Sequence, residues 1–384
     1  MTKFEQLIDE LCPNGVEYKK LSELLNIQRG VRVVRNQLND TGEYPVYQNS
    51  LTPMGYHTAS NFPANTTFII GAGAAGEIGY SYVDFWAADD CFCIICPDEY
   101  NSRFLFHYLL SQQEFLLSKV RKASIPRLSR TVIENLKLPV PPLQVQSEIV
   151  RILDNFTELT AELTAELTAR RQQYEYYNNT LLSFDNAEYK TLEELCDIVD
   201  YRGKTPRKVD DGIFLITAKN IRKGFIDYDK SKEYISPEDY DEVMHRGFPQ
   251  IGDVLITTEA PCGNVAQIDN ENIALAQRVI KYRPKSNNLN STFLKYVLLG
   301  KEFQDKLERA ATGGTVKGIK GSKLHQLTIP VPSIEEQERI VAILDRFDTL
   351  CNDISAGLPA EIEARQRQYE YYRDKLLTFK EKVN

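Results

Sequence analysis

Three groups of residues have types and spacing that could do chemistry. Gly71-Ala72-Gly73-Ala74-Ala75-Gly76 follows the apolar run Thr67-Phe68-Ile69-Ile70 and matches the pattern G-x-G-x-x-G. That pattern grips a pyrophosphate when a helix opens at its end and turns backbone N–H groups toward the phosphates. Here Glu77-Ile78-Gly79-Tyr80-Ser81-Tyr82-Val83 follows, which reads as a strand, and no carboxylate ends a following strand about 20 residues on. A glycine-rich β-turn is the better reading. Cys91, Cys93 and Cys96 could suggest a metal. Strand alternation divides them between two faces, and no histidine lies nearby at ligand spacing, so they read as small buried hydrophobes. The four histidines, His57, His107, His245 and His325, form no His-Glu-x-x-His pair, and the chain shows no nucleophile elbow, Walker loop or nuclease-type acidic cluster. An enzyme acting alone is disfavoured.

The third group is basic, and it recurs. Arg29, Arg32 and Arg35 lie early in the first half; Arg202, Lys204, Arg207 and Lys208 lie at the matching place in the second. Later come Lys119, Arg121, Lys122, Arg127 and Arg130, answered by Lys317, Lys320 and Lys323. Between the clusters are Gln48, Asn49, Lys219, Asn220, Arg222 and Gln277. Arginine and lysine beside glycine loops can reach phosphates and guanine edges, and amides can read adenine. One charged run is usually a solvated face; recurrence at corresponding places points to DNA. The net charge of −8 argues against non-specific coating of nucleic acid and leaves local basic faces free to bind specifically.

The elements that must position these residues are also written twice. Pro139-Val140-Pro141 returns as Pro330-Val331-Pro332, Ile149-Val150-Arg151-Ile152-Leu153-Asp154 as Ile340-Val341-Ala342-Ile343-Leu344-Asp345, and Tyr174-Glu175-Tyr176-Tyr177 as Tyr369-Glu370-Tyr371-Tyr372. At 384 residues the chain is long enough for two domains, and duplication is how a monomer imitates a two-fold dimer. Residues 143–184 read as one helix about 60 Å long, with Ile149, Ile152, Phe156, Leu163, Leu167, Tyr174 and Tyr177 on its apolar stripe. The second copy, 334–380, keeps the stripe through Ile340, Ile343, Phe347, Tyr369 and Tyr372, but Gly357 and Pro359 predict a break. Stripes this narrow want a partner helix, and each copy is the obvious partner of the other. The intervening heads, about 16–135 and 188–325, read as β-rich with one amphipathic helix after Asn101-Ser102 or Asn290-Ser291. The expected fold class is α+β: two β-rich domains separated by a long antiparallel pair of helices, with pseudo-two-fold internal repetition. No apolar run approaches the roughly 18 residues of a membrane span, the N-terminus lacks a signal-peptide core, and the seven cysteines suggest no disulfide framework, so the expected compartment is the cytoplasm.

The chain resembles the specificity subunit of type I restriction-modification enzymes. The resemblance rests on the Pro-Val-Pro exit followed by Gln146 or Gln337 and Ile-Val-x-Ile-Leu-Asp, on Arg-Gln-x-Tyr-Glu-Tyr-Tyr, and on the order head, helix, head, helix. Thr160-Ala161-Glu162-Leu163, repeated as Thr164-Ala165-Glu166-Leu167, looks like the four-residue spacer repeat of one branch. The resemblance implies that 1–137 and 187–328 are target recognition domains, each reading half of a split, asymmetric site in double-stranded DNA. It implies that 138–186 and 329–384, the latter kinked near 357–359, are spacer helices that set the gap. Two modification subunits, which bind S-adenosylmethionine and methylate adenine N6, would dock on this frame. Restriction subunits would join for translocation driven by ATP with Mg. This chain would hold no cofactor, no metal and no catalytic residue. The alternatives are a stand-alone DNA-binding protein and a scaffold without a DNA role; a fused methyltransferase would need an Asn-Pro-Pro-Tyr-type motif that is missing.

Overall fold

The structure is a computed structural model that describes residues 3–39, 41–184, 186–201, 206–313, 317–352 and 357–382. The chain forms two compact units: residues 1–164 with 361–384, and residues 165–360.

In the first unit Glu17–Lys20 pairs antiparallel with Lys137–Val140, Glu17 opposite Val140. A four-stranded antiparallel sheet follows the order Asn26–Arg29, Cys91–Ile95, Thr66–Ile70, Ile78–Ser81. A smaller sheet holds Tyr56–His57, Tyr44–Tyr47 and Trp86–Ala87, the last two parallel. The head helix Ser102–Ser111 is capped by Asn101, whose side-chain oxygen accepts from the Arg103 and Phe104 N–H groups. Its Phe104, Leu105 and Leu109 share one core with Ile69, Leu138, Ile149, Leu153, Leu376 and Leu377.

The second unit repeats that plan. Glu188–Thr191 pairs with Thr328–Val331, Glu188 opposite Val331. The large sheet runs Cys196–Asp200, Val279–Pro284, Val254–Thr258, Cys262–Gln267. The smaller sheet again contains one parallel pair, Ile213–Ile216 with Ile273–Leu275. Asn290 caps Ser291–Leu299 as Asn101 caps its counterpart. Pro139 and Pro330 sit in the two-stranded ribbons, where a missing N–H costs little.

The frame helices are Leu143–Leu181, 39 residues without interruption, then Ile334–Asn352 and Leu358–Leu377. The expected break near 357–359 is therefore a restart. Pro359 falls in the first turn of a new helix, where its absent N–H would have no partner anyway. In the first unit Phe156 stacks on Tyr372 at 5.3 Å. In the second, Phe347 stacks on Tyr177 at 5.4 Å, with Tyr174 at 6.2 Å. Each unit thus pairs a helix of one copy with a helix of the other through the same two residue types. Ile149 and Ile340 are buried, as the stripes require, but Leu153 and Leu344 are equally buried and Ile152 and Ile343 only partly. Leu163 and Leu167 are half-buried.

Gln146 and Gln337 are fully buried one turn inside their helices. The Gln146 side-chain oxygen accepts from Asn101 N–H at 2.8 Å, and its amide nitrogen donates to Pro141 O at 2.8 Å. Gln337 does the same with Asn290 N–H at 2.8 Å and Pro332 O at 2.9 Å, and its bond to Asn288 O at 2.9 Å answers that of Gln146 to Glu99 O at 3.4 Å. One amide therefore ties the cap of the head helix to the Pro-Val-Pro exit in both units.

Candidate nucleic-acid interface

Gly71–Gly76 joins two antiparallel strands, Thr66–Ile70 and Ile78–Ser81, so no helix opens there to receive a pyrophosphate. Gly73 has φ +85°, and a Cβ on it would lie 2.7 Å from Asn49 Cβ. The turn is a backbone hub. Gly73 N–H donates to Pro126 O, Ala74 N–H to Asn49 O and Gly71 N–H to Asp90 O. Arg121 and Arg127 exchange backbone hydrogen bonds, closing a small hairpin on that hub. Asn49, Arg121, Lys122 and Arg127 are thereby gathered on one exposed surface, with Gln48 half-buried beside Asn49. Arg29 joins it from the 87–91 side, its Nε donating to Asp89 O at 2.5 Å. The side chains of Arg32, Arg35, Arg121, Lys122 and Arg127 form no ion pair among the described residues, and Lys119 lies over the Phe115 ring. Arg130 is different: it donates to Glu134 at 2.8 Å and to Ile27 O, so its charge is already matched.

The second unit builds the same device with other residues. The turn 258–262 is flanked by a hairpin in which Thr312 and Gly318 exchange backbone bonds, and Ile319 N–H donates to Thr258 O. Lys317 is paired with Glu308. Lys320 and Lys323 are exposed, Lys219 and Arg207 likewise. Lys208 is paired with Glu233 at 2.7 Å and Arg222 with Asp227 at 3.3 Å. Asn220 is fully buried; its oxygen accepts from Thr217 and its amide donates to Asp227 O and Ser231 O, so it supports its own loop and presents nothing to a base. Arg202 and Lys204 lie outside the described residues. Arg278 was not legible as a site residue. Its carbonyl accepts from Thr258 N–H where Asp90 O accepts from Gly71 N–H, and its side chain pairs with Glu259 at 3.2 Å. The signal was a lone arginine just before an apolar run, too common to single out.

The cysteines are packing residues. Cys91 and Cys93 are buried, and burial pushes the Cys91 and Cys96 thiols up to about 12, so neither supplies a thiolate.

Each head helix also touches a frame helix through the aspartate of Ile-Leu-Asp. In the first unit His107 Nε2 donates to Asp154 at 2.8 Å, Arg103 donates to the same oxygen, and Tyr369 O–H reaches His107 Nδ1 at 3.0 Å. A carboxylate only accepts, so the proton of the neutral ring sits on Nε2 and Nδ1 takes the tyrosine hydrogen. The Arg103 guanidinium lies 4.6–5.1 Å from the centres of the Tyr80, Tyr82 and Phe106 rings. Burial lowers the His107 pKa more than the Asp154 bond restores it. Burial raises Asp154, but the His107 hydrogen bond and the Arg103 charge outweigh it and leave the carboxyl below its usual value. In the second unit Tyr296 O–H donates to Asp345 at 2.5 Å.

The family model of the type I restriction modification DNA specificity domain matches residues 13–170 and again 185–364. The chain belongs to this family. As a type I specificity protein it is a DNA sequence-recognition subunit of a restriction-modification system and is itself non-catalytic. It is 33% identical over 392 residues to a putative type I restriction enzyme specificity subunit of Haemophilus influenzae, covering 95% of this chain and 96% of that one. It is 41% identical over 271 residues to the EcoR124I/EcoR124II specificity subunit of Escherichia coli, covering 63% of each. Its fold is similar to that of the type I S subunit from M. genitalium, with TM-score 0.64 at 16% identity, over 94% of this chain and 96% of that one. The α+β class with two repeated β-rich domains and paired long helices is the architecture of this group.

Proposed function

We propose that the two units of this specificity subunit read the unlike halves of one split DNA site, and that the helices between them in sequence set the gap. The observation that carries this reading is the repeated turn-plus-hairpin surface: it is built by the same backbone bonds in both units and dressed with different side chains. Among the described residues Arg121, Lys122 and Arg127 pair with no acid in the first, whereas the second offers Lys320 and Lys323 beside a paired Lys317 and Arg278. Phosphate contacts would fix register, and the exposed Asn49 with the half-buried Gln48 would meet base edges. Residues 1–137 and 187–328 are on this reading the recognition domains, and 138–186 and 329–384 the frame. The frame carries two modification subunits with their S-adenosylmethionine and, where present, restriction subunits with ATP and Mg; the assembly works on cytoplasmic DNA. No described helix is long and apolar enough to cross a membrane.

Co-expression with the modification subunit, followed by genome-wide mapping of N6-methyladenine, tests the reading. A two-part asymmetric motif is expected; a continuous or palindromic motif contradicts it. Thr164–Leu167 lies in the uninterrupted helix, and four residues span about 6 Å against 3.4 Å per base-pair step. Deleting them should shorten the gap by about one or two base pairs, read in the same maps.

A further inference from the structure

Tyr176 and Tyr371 occupy the third position of the two Tyr-Glu-Tyr-Tyr copies. The other tyrosines of the motif have work inside the chain: Tyr177 and Tyr372 stack on Phe347 and Phe156, and Tyr174 and Tyr369 pack in the two cores. Tyr176 and Tyr371 have none. They are 66% and 62% exposed, and among the described residues the ring contact of each is with the neighbouring tyrosine, edge to face, at 5.6 and 5.3 Å. Single exposed aromatics are ordinary on any surface. Two at the same point of a duplication are not scatter, because the exposed positions around them have drifted. Arg171 answers Gln366, Gln172 answers Arg367, Asn179 answers Asp374 and Thr180 answers Lys375.

The local frame of each ring is also matched. Nearly two turns earlier Arg170 donates to Glu166 at 2.9 Å and to Gln173 at 2.9 Å; Arg365 donates to Glu361 at 2.8 Å and to Gln368 at 3.1 Å. Those clamps leave Glu166 and Glu361 neutralised. Glu175 and Glu370, next to the exposed rings, carry charge with no cation or donor on them among the described residues. Each copy therefore offers a rigid aromatic face beside a free carboxylate on a helix that is held from behind by a stacked tyrosine. An arginine suits that pair: its guanidinium stacks on a ring and bonds a carboxylate at once.

We infer that Tyr176 with Glu175 and Tyr371 with Glu370 are two equivalent anchor points, each taking an arginine-bearing face of one copy of the same protein partner. Two like sites on one chain call for two copies of one partner. The inference rests on the recognition-subunit reading and deepens it, the partner being the modification subunit.

The test uses the full chain co-purified with its modification subunit, with bound copies counted by native mass spectrometry and affinity measured by titration. The unaltered chain is expected to hold two copies. Tyr176→Ala or Tyr371→Ala should weaken one site at least tenfold and leave one copy bound; the double variant should hold none at the concentration that saturates the unaltered chain. Tyr176→Phe should keep both copies, and Glu175→Arg should reproduce the single loss. Melting temperatures should stay unchanged throughout, since the rings bury little. A double variant that still holds two copies at unaltered affinity overturns the anchors while leaving the recognition reading standing. An unaltered chain that recruits no modification subunit overturns both. A chain that dimerises alone and becomes monomeric in the double variant makes these faces self-contacts, which also overturns the proposal.

Discussion

Asp154 and Asp345 close the same Ile-Leu-Asp triplet, yet they hold different partners. Asp154 accepts from a histidine and an arginine; Asp345 accepts from a neutral tyrosine. Eight residues upstream of each, Gln146 and Gln337 bond the same cap N–H and the same proline carbonyl at nearly the same distances. The contrast separates two kinds of position. An amide that satisfies backbone groups is held by main-chain geometry, which both copies share. A carboxylate that satisfies a side chain can change partner whenever the facing helix changes sequence.

The largest effect should come from the shared amides. Gln146→Leu leaves Asn101 N–H and Pro141 O buried without partners, and Gln337→Leu does the same to Asn290 and Pro332. Each should destabilise its unit by about 4 kcal/mol. Chemical denaturation read by hydrogen exchange in each unit measures both; losses differing by more than about 2 kcal/mol would show that the two joints are not equivalent.

A smaller and unequal pair of effects is expected at the aspartates. Asp154→Ala strands the buried Arg103 and His107 and should cost about 3 kcal/mol. Asp345→Ala removes one hydroxyl bond at an exposed carboxylate and should cost about 1 kcal/mol. Equal costs would erase the comparison.

Acid should sharpen it further. His107 is held neutral in the folded unit, with a pKa below its ordinary value, chiefly by burial. As pH falls from about 6.5 the unfolded chain takes up a proton that the folded one refuses, so the stability of the first unit is complete above that pH and declines below it. Asp154, also lowered, adds a second loss only as the pH falls below the usual aspartate range. Tyr296 is raised by burial and by Asp345, so its hydroxyl keeps its proton throughout. Hydrogen exchange of Ser102–Ser111 and Ser291–Leu299 between pH 7 and 5, corrected for intrinsic rates, should show protection falling in the first helix and holding in the second. His107→Gln should flatten the difference.

Much of the frame was legible. Period and repetition exposed the long helices, Asn101 and Asn290 announced their caps, and Pro359 marked the restart. The strand pairings were not: Pro139 and Pro330 read as residues that end sheet pairing, yet they lie inside two-stranded ribbons opposite Tyr18 and Tyr189. The candidate surface was only half legible. Charge and recurrence picked out Arg121 and Arg127, but nothing local showed that Lys208, Arg222 and Lys317 meet acids elsewhere in the fold, or that Asn220 turns inward. Those outcomes depend on residues brought near only by folding. The Arg103–His107–Asp154–Tyr369 group was hidden for the same reason, spanning three helices with no shared period.

The division of labour between the units is tested most directly by mapping N6-methyladenine in cells that carry the cognate modification subunit and the Arg121→Ala/Arg127→Ala chain. One half of the methylated motif is expected to become degenerate or weakly occupied, while the other half and the gap stay as they were. Degeneracy in both halves together, or an unchanged motif at unchanged occupancy, would contradict it.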